Sequence, residues 1–451
     1  MKSLVIGNGI SGKAAVDLLN AKGIGAVYFD LTGSFEAYDM LAGVQDPEEL
    51  QVFSGTLPTT ALEGIGNVIV TGDIAMDDAV IRQLRLMGFS LIGETELAAS
   101  FDRGRILAVT GTKGKTSATA LLGKIIKDRT RNAFTVGEGI GSYADAVCST
   151  TKDSATIVKT TARDLELTDR FHPAVSAIIN IKVPGSAEYE SMNDYMNVKE
   201  RIMKNQTEDD HVILNYDDEF TRHIGMRLDG SHDAPRPFFF SVSRELKYGL
   251  FLKGEDIILR DTWGERTLMR TGDICIVGKH NLENAFAAIA MAYKYGIPTD
   301  HIIKSCMDFR PVAHRVEYVA TKNGVRFYND SKGTDVSTAI NGIRAMDCPT
   351  YLIGGGYDSG ADYGEWIDSF GGKVRKLVLI GQTREKMASC AQDHGFYDYI
   401  YAEDLEEAVR ICRSCANPGE AVLLSPACEG RGMFKNYEER GNAFRAIVES
   451  L

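Results

Sequence analysis

A glycine-rich loop, Gly111-Thr112-Lys113-Gly114-Lys115-Thr116-Ser117, directly follows the apolar run Arg105-Ile106-Leu107-Ala108-Val109-Thr110 and precedes an alanine-rich stretch of helical character. A strand that leads through glycines into a helix points backbone N–H groups and the positive end of the helix dipole at one place, where they favour a phosphate group. Lys115 would add a positive charge and Thr116 a hydroxyl group for Mg²⁺. Val109 stands where the general Walker pattern has its first glycine. The stretch therefore predicts a shortened phosphate loop in an α/β domain.

A second glycine turn lies near the beginning of the chain. The run Leu4-Val5-Ile6 leads into Gly7-Asn8-Gly9-Ile10-Ser11-Gly12, and a helical stretch and a strand ending at Asp30 follow. This order, with an acidic residue about 20 positions after the turn, is typical of dinucleotide-binding units. The alternative is a tight strand-to-helix turn that binds nothing. The pattern favours phosphate or nucleotide-sugar binding, with Gly9, Ser11 and Asp30 as candidate contacts.

The rest of the chain alternates apolar runs with helical stretches, apart from a β-rich stretch at about residues 238–269. Buried runs at 350–353, 376–380 and 421–424 end in glycine or proline turns, as strands of a parallel doubly wound sheet do. A chain of 451 residues is too long for one ordinary domain. We predict three α/β domains: a Rossmann-like domain at 1–97, a P-loop ATPase-like domain at 98–309, and a Rossmann-like doubly wound domain at 310–451.

Charge and hydropathy exclude several classes of function. The formal net charge of −12 opposes binding to nucleic acid, which depends on many basic residues that neutralise phosphates. The chain has neither a signal-peptide pattern nor an uninterrupted apolar run of about 18 residues, which a membrane-spanning helix needs. We expect a cytoplasmic monomer that binds neither nucleic acid nor a membrane.

The pair Cys412-x-x-Cys415 is the one cysteine spacing that resembles a metal-binding motif. It lies in a stretch that reads as a helix, and no second pair stands at zinc spacing. We expect two helical packing residues with reduced thiols.

Several strings are similar to those of a known family. Together with the phosphate loop they are Gly278-Lys279-His280-Asn281-Leu282-Glu283-Asn284, His314-Arg315-Val316-Glu317, Asn329-Asp330-Ser331-Lys332 and Phe434-Lys435-Asn436-Tyr437-Glu438-Glu439-Arg440-Gly441. In this order they resemble the Mur ligases, and the last string is most similar to the branch that adds D-glutamate. The resemblance covers essentially the whole chain.

This resemblance implies a ligand for each domain and a reaction. The first domain would bind a UDP-sugar, the central domain ATP, and the last domain the incoming amino acid. ATP would phosphorylate the carboxylate of UDP-N-acetylmuramoyl-L-alanine, and the amine would attack the acyl phosphate to form an amide in peptidoglycan synthesis. The family uses two Mg²⁺ ions to offset charge on the transferring phosphoryl group.

The resemblance also implies roles for particular residues. Residues 111–117 would bind the ATP phosphates, and Lys199 stands where the family carries a carbamylated lysine that supports Mg²⁺. Lys115 and Lys199 are therefore the candidate catalytic residues, and Thr116 and Lys199 the candidate metal-binding residues. The remaining candidates are Asn281 or Asn284 and His314 for the base, Arg315, Asp330 and Lys332 for ribose and phosphates, and Thr334 and Tyr437 for substrate.

Other positions depart from the family pattern. Lys159 occupies the place of a carboxylate metal ligand, so a second Mg²⁺ would be repelled and one Mg²⁺ site is expected. Glu138 replaces a neutral amide near the muramoyl group, Asp73 lies in an altered turn of the first domain, and Gly185 falls at a histidine position.

Positions that would bind the incoming amino acid also differ from the family pattern. Ser359 stands where related ligases use a lysine for the glutamate side chain, and Gly430 stands at an expected serine. Losing these two contacts would not abolish binding of the amino acid but would remove its selectivity for glutamate. Three hypotheses follow: a working D-glutamate ligase, a ligase redirected to other partners, or a nucleotide-binding protein without catalysis.

Overall fold

The computed structural model describes residues 2–7, 10–31, 50–72, 74–183, 189, 191–274, 276, 278–309, 313–346 and 348–451. The chain divides into two compact units, Met1–Arg270 with Glu283–Cys306, and Thr271–Leu282 with Met307–Leu451. The described strands form three sheets, of which the first two belong to the first unit.

The first sheet is entirely parallel, in the order β3-β2-β1-β4-β5. Its central strands are buried on both faces because they are continuous apolar runs, as parallel sheets covered by helices require. The strands are β1 (Lys2–Ile6), β2 (Ala26–Asp30), β3 (Gln51–Ser54), β4 (Ile65–Val70) and β5 (Ser90–Gly93), and the helices are α1 (Ile10–Ala21), α2 (Ala79–Leu86) and α3 (Glu94–Ala99).

The second sheet has the order β14-β13-β12-β11-β10-β9-β6-β8-β7. Its strands are parallel from β7 to β12, and β13 and β14 add an antiparallel edge. The strands are β6 (Arg105–Thr110), β7 (Ala133–Gly137), β8 (Ala155–Lys159), β9 (Val175–Ile178), β10 (His211–Asn215), β11 (Arg236–Ser241), β12 (Gly249–Lys253), β13 (Asp256–Asp261) and β14 (Gly264–Arg270). The helices are α4 (Lys115–Arg129), α5 (Tyr143–Val147), α6 (Ala162–Glu166), α7 (Met192–Glu200) and α8 (Glu219–Leu228), and α9 (Lys279–Tyr295) and α10 (Thr299–Asp308) follow in sequence.

The third sheet lies in the second unit, in the order β15-β16-β20-β17-β18-β19. Only its β15 edge is antiparallel. The strands are β15 (Glu317–Lys322), β16 (Val325–Asn329), β17 (Thr350–Gly354), β18 (Val374–Leu379), β19 (Tyr399–Tyr401) and β20 (Ala421–Leu424), and the helices are α11 (Val336–Ala345), α12 (Gly364–Asp368), α13 (Arg384–Asp393), α14 (Leu405–Cys415) and α15 (Tyr437–Ser450).

These sheets confirm the predicted fold class of α/β domains with parallel sheets. The predicted β-rich stretch at 238–269 continues the second sheet as its edge. The three predicted domain boundaries stay predictions. In α14, Cys412 is buried and Cys415 is half-buried. None of the described helices is long and apolar enough to cross a membrane.

A buried carboxylate on α3 ties the first sheet to the chain segment that follows α6. Glu96 is 6% exposed, and its two oxygens accept hydrogen bonds from the backbone N–H groups of Asp169, Arg170 and Phe171 at 2.8 to 3.0 Å. Three consecutive amides that converge on one anion form strong, charge-assisted hydrogen bonds. This carboxylate therefore holds the segment that leads into β9.

We expect Glu96→Ala to lower the free energy of unfolding by about 2 kcal/mol, because it leaves buried amides without their acceptor. Urea denaturation of the full chain measures the loss. Glu208→Ala, which changes an exposed glutamate in a loop, is the control and should leave the midpoint unchanged. Equal midpoints for Glu96→Ala and the wild type would show that these hydrogen bonds contribute nothing.

Candidate functional site

The phosphate-loop sequence forms the turn between β6 and α4. Gly111 and Gly114 adopt φ values of 153° and 89°, which side chains disfavour. A Cβ atom on Gly114 would also lie 1.9 Å from Oδ1 of Asn284, so only glycine allows this approach. α4 begins at Lys115. The backbone is therefore shaped as the sequence predicts for an anion at the helix N-terminus.

Asn180, in the segment after β9, holds this loop from the side. Its side chain accepts a hydrogen bond from the N–H of Lys113 and donates one to the carbonyl oxygen of Lys113, both at 3.0 Å. Its own carbonyl oxygen accepts a hydrogen bond from the N–H of Thr112 at 3.0 Å. The Thr112 hydroxyl lies 3.2 Å from the hydroxyl of Tyr195 on α7. The loop is therefore fixed by partners from two neighbouring elements.

Two lysines meet at the start of the loop. Lys115 donates hydrogen bonds to the carbonyl oxygens of Gly111 and Thr112 at 2.9 and 3.3 Å. Lys199, on α7, donates to the hydroxyl of Thr110 at 3.1 Å and to the carbonyl oxygen of Gly111 at 3.4 Å. The structure thus brings both candidate catalytic residues to the same loop, with the half-buried Thr116 and Ser117 in the first turn of α4.

The amine of Lys199 is in an unusual electrostatic environment. Its residue is 1% exposed, and the ammonium lies 5.2 Å from the ring centroid of Tyr195. Burial, followed by repulsion from Lys115, lowers the pKa of Lys199 to about 7. A large fraction of this amine is therefore neutral near pH 7, and the neutral form is nucleophilic.

Two of the residues that depart from the family pattern contact each other. The ammonium of Lys159, the last residue of β8, lies 3.2 Å from Oε2 of Glu138 and donates a hydrogen bond to its carbonyl oxygen. The Lys159 side chain is 9% exposed and that of Glu138 is 64% exposed. In sequence each appeared as a separate change, whereas in the structure they form one ion pair beside β6.

Sequence reasoning did not single out Asn180 or the pairing of Lys159 with Glu138. Asn180 follows the apolar strand β9, and an asparagine at the carboxyl end of a parallel strand is a usable signal for a site residue. The sequence gives a weaker signal for the pairing of Lys159 with Glu138. Gly137 and Lys159 are the last residues of neighbouring strands, but the sequence alone does not reveal that these strands are neighbours.

The candidate residues of the first sheet lie apart from this loop in sequence. Ser11 is half-buried in the first turn of α1. Asp30 is fully buried at the end of β2, where it accepts a hydrogen bond from the Ser54 hydroxyl at 3.4 Å. Gly9, Asp73 and Gly185 lie outside the described residues. Contacts of Ser11 and Asp30 with a substrate stay predictions.

In the second unit, the loop that carries Arg315 has a strained backbone. His314 and Val316 adopt φ values of 65° and 46°, and the latter is a marked outlier for a β-branched residue. Asp330 holds this loop, because its Oδ1 accepts a hydrogen bond from the Val316 N–H at 3.1 Å and its Oδ2 one from the Ser425 hydroxyl at 2.7 Å. Complete burial raises the pKa of Asp330 to about 7. Strain of this kind is concentrated at functional sites.

A buried arginine fixes the segment next to Asp330. Arg440, on α15, is 1% exposed and donates hydrogen bonds to the hydroxyl and carbonyl oxygens of Ser331 and to the carbonyl oxygen of Cys428 at 2.8 to 2.9 Å. Burial lowers the pKa of Arg440 to about 10. This arginine therefore holds the predicted Asn-Asp-Ser-Lys string against α15.

Four candidates lie close together in this unit. The Lys332 ammonium lies 5.5 Å from the ring centroid of Tyr437, and the His314 and Tyr437 ring centroids are 6.3 Å apart. The N–H of Lys332 donates to the carbonyl oxygen of His314, and the N–H of Thr334 donates to that of Lys332, both at 2.9 Å. Asp330 is fully buried and accepts a hydrogen bond from the Val316 N–H, so it positions the Arg315 loop. Its predicted nucleotide contact stays a prediction.

The asparagine candidates for the base differ in environment. Asn281 is half-buried on α9, whereas Asn284 is buried and packs against Gly114 of the phosphate loop. Asn284 therefore shapes the loop, and neither base contact is tested.

A cavity of about 420 Å³ opens at the carboxyl ends of β17 and β18 in the second unit. Its lining includes Arg384, which forms an ion pair with Glu403 at 3.6 Å, and Arg431, which forms one with Glu429 at 2.9 Å. Ser359 is exposed. The cavity is lined by both positive and negative groups.

Comparison with known proteins places this geometry in a family. Residues 109–292 match the Mur ligase middle domain, and residues 314–428 match the glutamate ligase domain of Mur ligases. The UDP-N-acetylmuramoylalanine–D-glutamate ligase of Lachnoclostridium phytofermentans is 39% identical over 450 residues, which cover 100% of this chain and 98% of that protein. The ligase of the same name from Lachnospira eligens is also 39% identical, over 99% of this chain and 98% of its own length.

Solved structures agree with this family at the level of the fold. MurF from Acinetobacter baumannii has a TM-score of 0.58 at 14% identity and covers 95% of this chain and 91% of its own. The UDP-N-acetylmuramate–alanine ligase MurC of Thermotoga maritima has a TM-score of 0.54 at 16% identity and covers 100% of this chain and 99% of its own. On the matches to both domain models and on relatives that are 39% identical over the full length, this chain belongs to the Mur ligase family, and it is similar to the D-glutamate-adding ligases within it.

Proposed function

We propose that this protein is an ATP-dependent ligase that joins the carboxylate of UDP-N-acetylmuramoyl-L-alanine to the amine of an acidic amino acid, D-glutamate in the first instance. The proposal is supported mainly by the phosphate loop, where Lys115 and the buried Lys199 both donate hydrogen bonds to residues at the start of the loop. The two relatives named above, both D-glutamate ligases, support the choice of substrates.

The proposed reaction has two steps. A carboxylate oxygen of the donor attacks the γ-phosphorus of ATP, the bond to the β,γ-bridging oxygen breaks, and ADP leaves. The amine nitrogen then attacks the acyl carbon, phosphate leaves with the transferred oxygen, and a proton is released. The loop N–H groups and Lys115 would offset the negative charge of the transferring group, which is the main requirement in phosphoryl transfer.

One Mg²⁺ fits the residues beside the loop. The Thr116 hydroxyl lies in the first turn of α4, and a carbamate on Lys199 would supply an anionic oxygen of the kind that Mg²⁺ prefers. The lowered pKa of Lys199 makes this carbamate accessible, because CO₂ reacts with neutral amines. Bound Mg²⁺ would neutralise charge on the phosphate oxygens.

Residues of the second unit would serve the nucleotide and the acceptor. Arg315 and Lys332 would bind phosphates, His314 the base, and Thr334 and Tyr437 the amino acid. The cavity with Arg384 and Arg431 suits an acceptor that carries a carboxylate side chain, because an incoming anion can exchange with the glutamates now paired to these arginines. This supports an acidic acceptor although Ser359 replaces a lysine.

Between the three hypotheses from the sequence, the site favours catalysis over silent nucleotide binding. Lys199 is 1% exposed and has a pKa lowered to about 7, and burying such an amine destabilises the folded state. Groups with strongly shifted pKa values are concentrated at functional sites. The redirected ligase would join other partners, and a panel of amino acids distinguishes a changed acceptor from D-glutamate.

We expect phosphate release that requires ATP, UDP-N-acetylmuramoyl-L-alanine and D-glutamate together. Lys115→Met should reduce turnover by about 100-fold or more, because it removes a cation from the transferring phosphate. Lys127→Met, an exposed lysine of the same helix, is the matched control and should turn over normally. Phosphate release with another amino acid but not with D-glutamate would select the redirected ligase, and silence with every acceptor would contradict the proposal.

We expect Lys199 to be carbamylated in a pH-dependent manner. Its pKa is lowered to about 7, so the ammonium form prevails below pH 7 and the neutral, reactive amine prevails above it. The ¹³C carbamate signal of protein kept in ¹³C-labelled bicarbonate should therefore increase from pH 6 to pH 8. Lys199→Met should lack this signal. A signal that persists in Lys199→Met would assign the carbamate to another lysine.

A further inference from the structure

We propose that the ion-paired Lys159 is a built-in cation of this site, so that the protein works with one divalent metal ion at the phosphate loop. The inference rests on the proposed function, because it concerns the charge balance of that phosphoryl transfer. Lys159 would bind anionic oxygens of the substrates, which belong to a phosphoryl group or a carboxylate.

Lys159 lies at the edge of the sheet from which the phosphate loop begins. In the strand register it pairs with Val109 of β6 on one side and with Gly137 of β7 on the other. Val109 is two residues before Gly111, where the phosphate loop begins. Ligands of parallel sheets bind beyond the carboxyl ends of the strands, and Lys159 is the carboxyl-terminal residue of β8.

Its partner, Glu138, leaves this cation available to an incoming anion. The lysine side chain is 9% exposed, whereas the glutamate side chain is 64% exposed and lies on the solvent side. A buried ammonium needs an anion, and a substrate oxygen can supply it when the exposed Glu138 side chain turns into solvent. Glu138 therefore acts as the counter-ion of the substrate-free state.

Besides Glu138, two carboxylates of this region, Asp164 and Glu94, already accept hydrogen bonds. Asp164 is the nearest in sequence, and its Oδ2 accepts hydrogen bonds from the Thr161 N–H and hydroxyl at 2.7 and 2.8 Å as part of the α6 capping box. Burial raises the pKa of Asp164 and so weakens it further as an anionic ligand. Glu94 accepts hydrogen bonds from the Ser142 hydroxyl and the Ala144 N–H at 2.6 and 3.1 Å.

These charges do not fit a second divalent cation. Mg²⁺ needs several oxygen ligands in a strict geometry, and carboxylates are its usual protein ligands. Here a fixed ammonium ion occupies the end of β8 and would repel another cation. The residues present fit one Mg²⁺ near Thr116 and Lys199, together with one ammonium at Lys159.

The test counts metal ions on the full-length protein. Mn²⁺ replaces Mg²⁺ as a paramagnetic probe, and electron paramagnetic resonance measures bound Mn²⁺ in the presence of a non-hydrolysable ATP analogue. We expect one bound ion per nucleotide in the wild type and two in Lys159→Glu, where a carboxylate replaces the ammonium. Lys159→Met should bind one ion, and Lys152→Met, an exposed lysine just before β8, is the control for general effects of removing a lysine.

The outcomes separate this inference from the proposed function. Two ions on the wild-type protein would overturn the role of Lys159 while leaving the ligase proposal intact. No bound nucleotide and no bound ion would overturn both. Turnover adds an independent readout: Lys159→Met should lower kcat about 100-fold, and Lys159→Arg should restore most of it because it keeps the charge. Unchanged kcat in Lys159→Met, with one ion bound, would also overturn the inference.

Discussion

Three hydrogen bonds between Asn180 and residues 112–113 hold the phosphate loop in its shape, and the other groups of the candidate site are arranged around that loop. Backbone N–H groups stabilise a phosphate only when they are already oriented, because orienting them during the reaction would cost free energy. Gly111 and Gly114 allow the loop to turn, but glycines alone also make a loop flexible. Asn180 removes this freedom with three hydrogen bonds, and the Asn284 side chain packs against Gly114.

The charge states of the lysines at this loop depend on how deeply they are buried and on how close they lie to each other. Lys115 donates hydrogen bonds to carbonyl oxygens of the loop. Burial, together with the positive charge of Lys115, lowers the pKa of the neighbouring Lys199 to about 7, so that a fraction of its amine is neutral. The same loop therefore has a permanent cation and a reactive amine within a few ångströms. Lys159 adds a second cation at the next strand, paired with Glu138 until a substrate arrives. In the second unit, too, buried side chains fix the loops that carry candidate site residues. Asp330 holds the loop of Arg315, and Arg440 holds the segment next to Lys332.

The sequence predicted those parts of the structure that depend on local patterns. Continuous apolar runs identified the buried parallel strands, and the glycine spacing identified the phosphate loop, since both follow from backbone preferences of a few residues. Asn180 and the pair of Lys159 and Glu138 were beyond that kind of reasoning, because their contacts join residues 67 and 21 positions apart through the strand order. Likewise, the string around Asp330 predicts a nucleotide contact, which stays a prediction. Its support of the Arg315 loop depends on burial and on a hydrogen bond that only the tertiary structure shows.

On the proposed mechanism, the lysines at the phosphate loop support the phosphorylation of the donor carboxylate by ATP. The most direct test of this mechanism uses UDP-N-acetylmuramoyl-L-alanine labelled with ¹⁸O in the alanyl carboxylate, incubated with ATP, Mg²⁺ and D-glutamate. Mass spectrometry of the released phosphate then reports the origin of its oxygens. We expect one ¹⁸O atom in each phosphate, since the carboxylate oxygen that attacks the γ-phosphorus leaves with it. Unlabelled phosphate would mean that water attacks ATP directly and that no acyl phosphate forms.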